Sequence, residues 1–181
     1  MLPKFYDMKN LKDYVRSIPD FPKPGIVFRD ITTLINDADG FHQAIDDMCD
    51  KVKDIDFDVI AGAEARGFIF GAAMAYKMHK PLVLIRKKGK LPTKVITQEY
   101  DLEYGTSTLE MHVDSYKPGA RVLVVDDLLA TGGTTRAITQ LVEKTGGVVA
   151  GISVLIELVD LKGRERLSDF PVFSSLTFEG E

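Results

Sequence analysis

Two adjacent carboxylates and a glycine-rich turn stand close together in the second half of the chain. Asp126 and Asp127 come directly after an apolar run at residues 121–125, and residues 130–134 follow shortly afterwards. Ionised carboxylates only accept hydrogen bonds, so the neighbouring hydroxyls of a sugar would satisfy them. Glycines let a backbone approach a ligand closely, and the free N–H groups of a helix N-terminus favour an anion. The combination predicts a site for a 5-phosphoribosyl group.

The glycine-rich turn is the part of this motif that would hold the phosphate. Its predicted phosphate-binding residues are Ala130, Thr131, Gly132, Gly133 and Thr134. The alternative is an ordinary strand–loop–helix connection in which Thr134 caps the helix. The two acids at the end of the preceding strand favour the phosphoribosyl site. Adjacent carboxylates repel each other and lose hydration, and a binding function would explain why the chain keeps them despite this cost in free energy.

The elements that must position these residues alternate between apolar strands and helices. Helical spacing from Phe41 to Val52 predicts a helix with Asp37 or Asp39 as its cap, and Gly146 is expected to end the helix that follows the turn. Short buried strands are predicted at residues 58–62, 82–85, 121–125 and 148–158, and a further helix at 67–76. Continuously apolar strands are covered on both faces, so we expect an α/β fold with a mostly parallel, twisted sheet flanked by helices.

Two further segments follow strands of this sheet, where α/β proteins bind their ligands. One contains Ala65 and Arg66, and its guanidinium and backbone N–H groups can bind an anion. The alternative is that this segment only starts a helix and exposes the arginine to solvent. The other is a basic cluster containing Arg86, Lys87 and Lys90, the local positive charge that an acidic protein needs to bind a polyphosphate. The alternative is a charged loop that only faces solvent. The cluster begins a polar stretch at residues 86–108, whose length predicts a mobile functional loop, although parts of it can pair as hairpin strands.

Length and composition indicate one ordinary globular domain over residues 1–181. The chain is 45% hydrophobic and 28% charged, and its net charge of -4 argues against sequence-independent nucleic-acid binding. A single cysteine, Cys49, excludes an intrachain disulfide and is expected to be a buried apolar residue. Neither a signal peptide nor a membrane span is apparent, so the expected location is the cytoplasm. The histidines show no metal-binding spacing and are assigned to structure or surface: His42, His79 and His112.

Residues 122–135 resemble the phosphoribosyl pyrophosphate motif of the type I phosphoribosyltransferases. The resemblance implies that Asp126 and Asp127 hold the ribose hydroxyls and that residues 130–134 bind the 5′-phosphate. It assigns residues 86–108 to a flexible catalytic hood and places a cis peptide bond between Glu64 and Ala65. The pyrophosphate-binding residues that it implies are Ala65, Arg66, Arg86, Lys87 and Lys90.

Residues 20–31 resemble the N-terminal signature of the adenine-specific members of that family. By this resemblance, residues 1–35 recognise the base through main-chain groups at Val27 and Arg29 and through stacking by Phe28. Leu158 then corresponds to the apolar residue on the other face of the base. The alternative for Phe28 and Leu158 is a simple role in the core.

A stretch of acids within residues 99–105 offers candidates for the catalytic acid. A carboxylic acid near N7 of a purine can share its proton while N9 bonds to the sugar, provided that burial raises its pKa. Glu103 matches the family position for this role, and Glu99 and Asp101 are the competing solvated acids.

The reaction that the resemblance implies is a step of purine salvage, in which adenine and phosphoribosyl pyrophosphate give AMP and pyrophosphate. Mg²⁺ would be held mainly by substrate oxygens and water, and the enzyme would be a homodimer. Two alternatives stay open: a purine phosphoribosyltransferase of other base specificity, and a regulator that senses phosphoribosyl pyrophosphate without catalysis. Such regulators usually add a DNA-binding segment and a basic face, for which this chain has neither spare length nor charge.

Overall fold

The structure is a computed structural model that describes residues 9–101 and 105–180. Its strands are β1 (Arg16–Pro19), β2 (Val27–Asp30), β3 (Val59–Ala63), β4 (Leu82–Lys87), β5 (Val95–Asp101), β6 (Thr106–His112), β7 (Arg121–Leu129), β8 (Val148–Leu158) and β9 (Val172–Phe178). The α-helices are α1 (Thr32–Ile35), α2 (Ala38–Val52), α3 (Gly67–Met78) and α4 (Gly133–Lys144). Short 3-10 helices cover Leu11–Tyr14, Val159–Leu161 and Gly163–Leu167.

Seven of these strands form one sheet in the order β5-β6-β4-β3-β7-β8-β9. The run from β4 to β9 is parallel, whereas β5 and β6 add an antiparallel hairpin at one edge. Strands β1 and β2 pair separately as a small antiparallel ribbon. The predicted fold class, a mostly parallel sheet flanked by helices, is confirmed.

The central strands are apolar along their whole length because helices cover both faces of the sheet. On β7, Leu123 and Val125 pack into one hydrophobic cluster with side chains of α2 and α3. Val122 and Val124 point the other way and pack into a second cluster with side chains of α4. Among the described residues, no helix is long and apolar enough to cross a membrane.

The helix ends show how local sequence sets the elements that carry the site. The carboxylate of Asp37 accepts a hydrogen bond from the Gly40 N–H at 2.9 Å, so Asp37 rather than Asp39 caps α2. After α4, Gly146 has φ +77, the left-handed conformation expected at the end of this helix. Both features follow from residue types adjacent in the chain.

Strand β7 is longer than its sequence predicts, because it continues through Asp126 and Asp127 to Leu129. Pairing with β3 ends where Gly62 meets Val125, but pairing with β8 continues until Leu129 meets Glu157. The expectation that both acids follow the strand is therefore wrong. They lie on β7 at the point where its neighbour β3 ends, which leaves them at the carboxyl edge of the sheet.

Residues 86–108 contain mainly strands instead of a continuous loop. Strands β5 and β6 pair in register from Val95 with His112 to Asp101 with Thr106. Ile96 and Tyr100, on one face of β5, pack against the second hydrophobic cluster, and β5 also contacts α4. The structure thus selects the hairpin alternative, while the mobility of this segment stays a prediction.

Candidate active site

A cavity of about 310 Å³ opens at the carboxyl edge of the sheet, between the ends of β3, β4 and β7. It brings together residues that are far apart in the chain and were predicted separately to bind ribose, phosphate and pyrophosphate. Its lining consists of Glu64, Ala65, Arg66, Lys87, Tyr100, Asp126, Asp127, Leu128, Ala130, Thr131, Gly132, Gly133, Thr134 and Thr135.

The turn before α4 presents an open helix N-terminus to this cavity. Gly132, rather than Thr134, is the N-cap residue, and its φ of +80 lies in the left-handed region that favours glycine. No side chain among the described residues caps the helix, so within them the N–H groups of its first turn have no side-chain acceptor. Thr131, Thr134 and Thr135 line the cavity beside them. This arrangement can accept an anion with several oxygens.

The two carboxylates of β7 share a tightly packed environment. Oδ1 of Asp126 accepts a hydrogen bond from the backbone N–H of Asp127 at 2.8 Å. A β-carbon on Gly67 would lie only 2.8 Å from that same oxygen, so the glycine at the start of α3 is required for this close approach. Burial raises the pKa of both Asp126 and Asp127, and repulsion by Asp127 raises that of Asp126 further.

Arg66 is the charged residue nearest to this pair. Its Nε lies 2.9 Å from Oδ2 of Asp127, an ion pair whose direction does not satisfy hydrogen-bond geometry. The guanidinium opposes the effect of burial on the pKa of Asp127. It also lies 5.8 Å from the ring centre of Phe28, which brings the predicted base-stacking residue beside the predicted pyrophosphate loop.

Glu64 organises the basic cluster at the end of β4. The expectation that this cluster follows the strand is wrong for Arg86 and Lys87, which lie on β4 because they pair with β6. Its carboxylate accepts hydrogen bonds from Lys90 Nζ at 2.7 Å, Arg86 Nη2 at 3.3 Å and the Lys87 N–H at 2.9 Å. Burial alone would raise the pKa of Glu64, but these hydrogen bonds outweigh it and lower the pKa to about 2. Arg86 and Lys90 are therefore directed to Glu64, and Lys87 is the member of the predicted trio that lines the cavity. The peptide bond between Glu64 and Ala65 is cis, as predicted.

A second carboxylate fixes the turn that carries these cations. Glu110, which is buried on β6, accepts hydrogen bonds from the backbone N–H groups of Gly89, Lys90 and Leu91 at 2.7–2.9 Å. Burial opposes ionisation of Glu110, but these three hydrogen bonds lower its pKa on balance. Sequence reasoning missed Glu64, Glu110 and the cavity-lining Tyr100, because no local pattern marks them.

The predicted base-binding residues lie around β2 and the end of β8, outside the lining of this cavity. Val27 pairs with Pro19, and the Phe28 ring contacts Phe21 edge-on with 5.2 Å between ring centres. Arg29 donates a hydrogen bond to Ser17 Oγ at 2.6 Å, and its guanidinium lies 4.4 Å from the Phe178 ring centre. Phe178 is in turn the strand partner of Leu158, which is 7% exposed within the first hydrophobic cluster.

The catalytic acid predicted from the sequence, Glu103, lies outside the described residues. Its competitors Glu99 and Asp101 are both exposed on β5. Side chains alternate along a strand, so these two acids lie on the face opposite Tyr100, which lines the cavity. Their placement is that of solvated acids.

Within residues 9–101 and 105–180, no three His, Cys, Asp or Glu side chains come close enough to hold a metal ion. The carboxylates at the cavity are those of Glu64, Asp126 and Asp127. Glu64 is already engaged by Arg86 and Lys90, and Oδ2 of Asp127 accepts no hydrogen bond from the described residues.

Comparison with known proteins identifies the family. Residues 33–179 match the phosphoribosyl transferase domain. The chain is 55% identical over 174 residues to an adenine phosphoribosyltransferase of Agathobacter rectalis, an alignment that covers 96% of this chain and 100% of the relative. The chain belongs to the adenine phosphoribosyltransferase family. The predicted family and enzyme class are thereby confirmed.

Solved structures of the adenine phosphoribosyltransferase family agree with this fold. The enzyme of Thermoanaerobacter pseudethanolicus superposes with a TM-score of 0.90 at 48% identity, covering 93% of this chain and 98% of the other. The enzyme of Saccharomyces cerevisiae superposes with a TM-score of 0.86 at 34% identity, covering 91% and 96%. That structure is a complex with D-2,5-dideoxy-2,5-imino-altritol 1,6-bisphosphate and adenine.

Proposed function

We propose that this enzyme transfers the 5-phosphoribosyl group of phosphoribosyl pyrophosphate to N9 of adenine, giving AMP and pyrophosphate. The observation that carries the proposal is the single cavity that joins two carboxylates, an uncapped helix N-terminus and the cations Arg66 and Lys87. Each part fits one portion of phosphoribosyl pyrophosphate: the ribose, the 5′-phosphate and the pyrophosphate. The yeast relative's complex with adenine supports the choice of base.

The three portions of this substrate would bind at different sides of the cavity. The 5′-phosphate accepts hydrogen bonds from the N–H groups and threonine hydroxyls of residues 130–134. The ribose hydroxyls donate to Asp126 and Asp127, the direction that ionised carboxylates require. The pyrophosphate binds at Ala65, Arg66 and Lys87, and its charge attracts Arg86 and Lys90 away from Glu64.

The chemistry places positive charge on the ribose ring while the pyrophosphate leaves. The carboxylates of Asp126 and Asp127 are fixed beside that ring before the reaction begins, so they stabilise the charge as it develops. Glu103, as the acid, shares its proton with N7 while N9 bonds to the sugar carbon. Closure of residues 86–108 excludes water, which would otherwise capture the ribosyl group.

The base would be recognised by residues 1–35 together with Leu158. Main-chain groups of Val27 and Arg29 read the edge of adenine, and Phe28 stacks on its face. The contact between Phe28 and the Arg66 guanidinium supports this placement, because it brings the stacking ring to the edge of the ribose and pyrophosphate sites.

Mg²⁺ fits the donors of this cavity as an ion that enters with the substrate. Carboxylate oxygens are ligands that Mg²⁺ prefers, and Oδ2 of Asp127, which pairs with Arg66 but accepts no hydrogen bond from the described residues, could accept one from a water of the ion's shell once Arg66 has moved. When bound, Mg²⁺ neutralises charge on the leaving pyrophosphate.

We also propose that the enzyme is a cytoplasmic homodimer. Sedimentation equilibrium at assay concentrations tests the oligomeric state, and a purely monomeric active enzyme would contradict the homodimer.

The substrate assignment is tested by offering adenine, hypoxanthine, guanine and xanthine in parallel with phosphoribosyl pyrophosphate. We expect AMP and pyrophosphate from adenine and little product from the oxopurines. Ribose 5-phosphate in place of phosphoribosyl pyrophosphate is the control, because it binds at the same loop but has no leaving group. A preference for an oxopurine would reject adenine, and binding without turnover of any base would favour the regulator.

A further inference from the structure

The 3-10 helix Gly163–Leu167 packs directly against the phosphate loop, defined as residues 130–134. A β-carbon on Gly163 would lie 2.3 Å from the carbonyl oxygen of Ala130. Conversely, a β-carbon on Gly132 would lie 2.7 Å from the carbonyl oxygen of Gly163. The two backbones are therefore in contact with no side chain between them, so the position of Gly163 helps to determine the shape of the loop.

The residue after this glycine anchors it to the sheet. Arg164 donates from Nε and Nη2 to the two carboxylate oxygens of Glu157, at 2.6 and 2.7 Å. Its Nη1 donates to the carbonyl oxygen of Val172 at 2.7 Å, and Nη2 also contacts Ser174 Oγ at 3.0 Å. One guanidinium thus connects the 3-10 helix with both β8 and β9, in the bidentate geometry that fixes a side chain best.

Glu157 accepts these hydrogen bonds as an ionised carboxylate. It is 5% exposed at the end of β8, and it accepts a third hydrogen bond from Ser174 Oγ at 2.7 Å. Burial opposes its ionisation, but the hydrogen bonds from Arg164 and Ser174 lower its pKa on balance. Neither Glu157 nor Arg164 lines the substrate cavity, so the pair acts on the site through the backbone that it holds.

The geometry points to Arg164, paired with Glu157, as a positioning residue for phosphate binding. The pair holds Gly163 against Ala130 and Gly132 and so keeps the loop in the shape that receives the 5′-phosphate. This inference rests on the proposed function, because it assumes that the loop binds that phosphate.

The test measures dissociation constants of ribose 5-phosphate and of pyrophosphate by calorimetry, for wild type, Gly163→Ala, Arg164→Met and Arg164→Lys. We expect Gly163→Ala and Arg164→Met to weaken the binding of ribose 5-phosphate about tenfold or more, because a displaced loop no longer directs its N–H groups at the phosphate. Arg164→Lys keeps the positive charge but cannot form the bidentate pair with Glu157. Its dissociation constant for ribose 5-phosphate should therefore lie between those of wild type and Arg164→Met. Pyrophosphate, which binds at the other side of the cavity, should keep its wild-type affinity in all three.

Two controls separate positioning from general destabilisation. Gly40→Ala places a β-carbon 2.6 Å from the Tyr14 ring, away from the loop, and should leave both dissociation constants unchanged. Arg164→Met alone leaves the buried carboxylate of Glu157 without its partner, and the double variant Glu157→Met with Arg164→Met removes that carboxylate as well. We expect the affinity of the double variant for ribose 5-phosphate to stay low, because the bidentate pair that holds Gly163 is still missing.

The outcomes distinguish this inference from the proposed function. An active wild type whose Gly163 and Arg164 variants bind ribose 5-phosphate normally would overturn the positioning role alone. An equal loss in Gly40→Ala, or full recovery in the double variant, would overturn it as well. A wild type that makes no AMP and binds no ribose 5-phosphate would instead overturn the proposed function.

Discussion

Arg66 Nε lies 2.9 Å from Oδ2 of Asp127, so the residue predicted to bind pyrophosphate is paired with a residue predicted to bind ribose. The Arg66 side chain is 44% exposed, whereas that of Asp127 is 8% exposed. Arg66 is therefore the partner that can move, and pyrophosphate would draw it from Asp127 as the ribose hydroxyls arrive.

Replacing Arg66 with Gln should change the pH profile as well as the affinity for phosphoribosyl pyrophosphate. Arg66 opposes the rise in the pKa of Asp127, so its removal raises that pKa further. Activity needs the ionised carboxylate, and the acid limb of kcat/KM should therefore move to higher pH. Rates between about pH 5 and pH 9 cover the relevant range. Arg136 on α4 pairs with the exposed Asp169, so Arg136→Gln is the matched control and should leave the limb in place.

Replacing Asp126 with Asn should stabilise the fold and abolish turnover. The folded-state pKa of Asp126 is raised, so ionisation lowers the unfolding free energy once the pH exceeds the ordinary value of 3.8. Asn keeps the shape without that charge. We therefore expect a larger free energy of unfolding and a higher melting temperature near neutral pH. Calorimetry and the AMP assay measure the two effects, and a lower melting temperature would contradict the buried-charge explanation.

The double variant Asp126→Asn with Asp127→Asn tests the ribose assignment more severely. Both side chains could then no longer act as charged acceptors for the ribose hydroxyls, so turnover should disappear while circular dichroism shows an intact fold. Wild-type rates in this variant would reject the assignment.

Glu64→Gln should change acid stability and substrate affinity together. Glu64 has a folded-state pKa of about 2, below its ordinary 4.5, so its stabilisation is complete above 4.5 and is lost as pH falls towards 2. The variant lacks this contribution at neutral pH and should lose less stability on acidification, as urea midpoints across that range would show. It should also lower KM for phosphoribosyl pyrophosphate severalfold, because pyrophosphate no longer has to draw Lys90 and Arg86 away from a charged partner.

Asp30→Asn is the matched control for Glu64. Its pKa is also lowered to about 2, mainly by the hydrogen bond from Arg16, so it affects stability over the same pH window. Asp30 lies on β2 outside the substrate cavity, and its loss should leave KM for phosphoribosyl pyrophosphate unchanged. An equal fall in KM would show that acid-sensitive stability, rather than the basic cluster, controls this affinity.

Glu103→Gln should lower kcat by about 10²–10⁴-fold, the usual contribution of a general acid, while changing phosphoribosyl pyrophosphate binding much less. Glu99→Gln is the matched control, because Glu99 is exposed on the strand face opposite Tyr100. Its kcat should stay near wild type. Similar losses in the two variants would mean that the wrong acid was chosen.

Sequence predicted well those parts of the site whose geometry is local. Asp126, Asp127 and the phosphate loop are adjacent in the chain, and a strand followed by a helix places them at one edge of the sheet. Arg66 follows β3 and Lys87 is the last residue of β4 in the same sheet, so their meeting in one cavity follows from its parallel order.

The remaining features depend on contacts between distant segments. The pairing of Glu64 with Lys90 spans 26 positions, and that of Glu110 with the Lys90 N–H spans 20. Neither leaves a local signal. The length of β7 depends on pairing with β8, whose extent is not visible within residues 121–129. The hairpin of β5 and β6 is weakly marked for a different reason, because the polar Gln98 interrupts the apolar face that Ile96 and Tyr100 share.

The engagement of Glu64 by Arg86 and Lys90 has a consequence for encounter with substrate. A cavity whose cations are already neutralised by protein carboxylates projects little field into solvent, so it draws anions only weakly from a distance. Capture should then proceed at a rate that changes little with ionic strength. Discrimination against inorganic phosphate would arise at contact, because a ligand that spans the loop, the carboxylates and Arg66 offsets the rearrangement of these ion pairs more fully than phosphate alone.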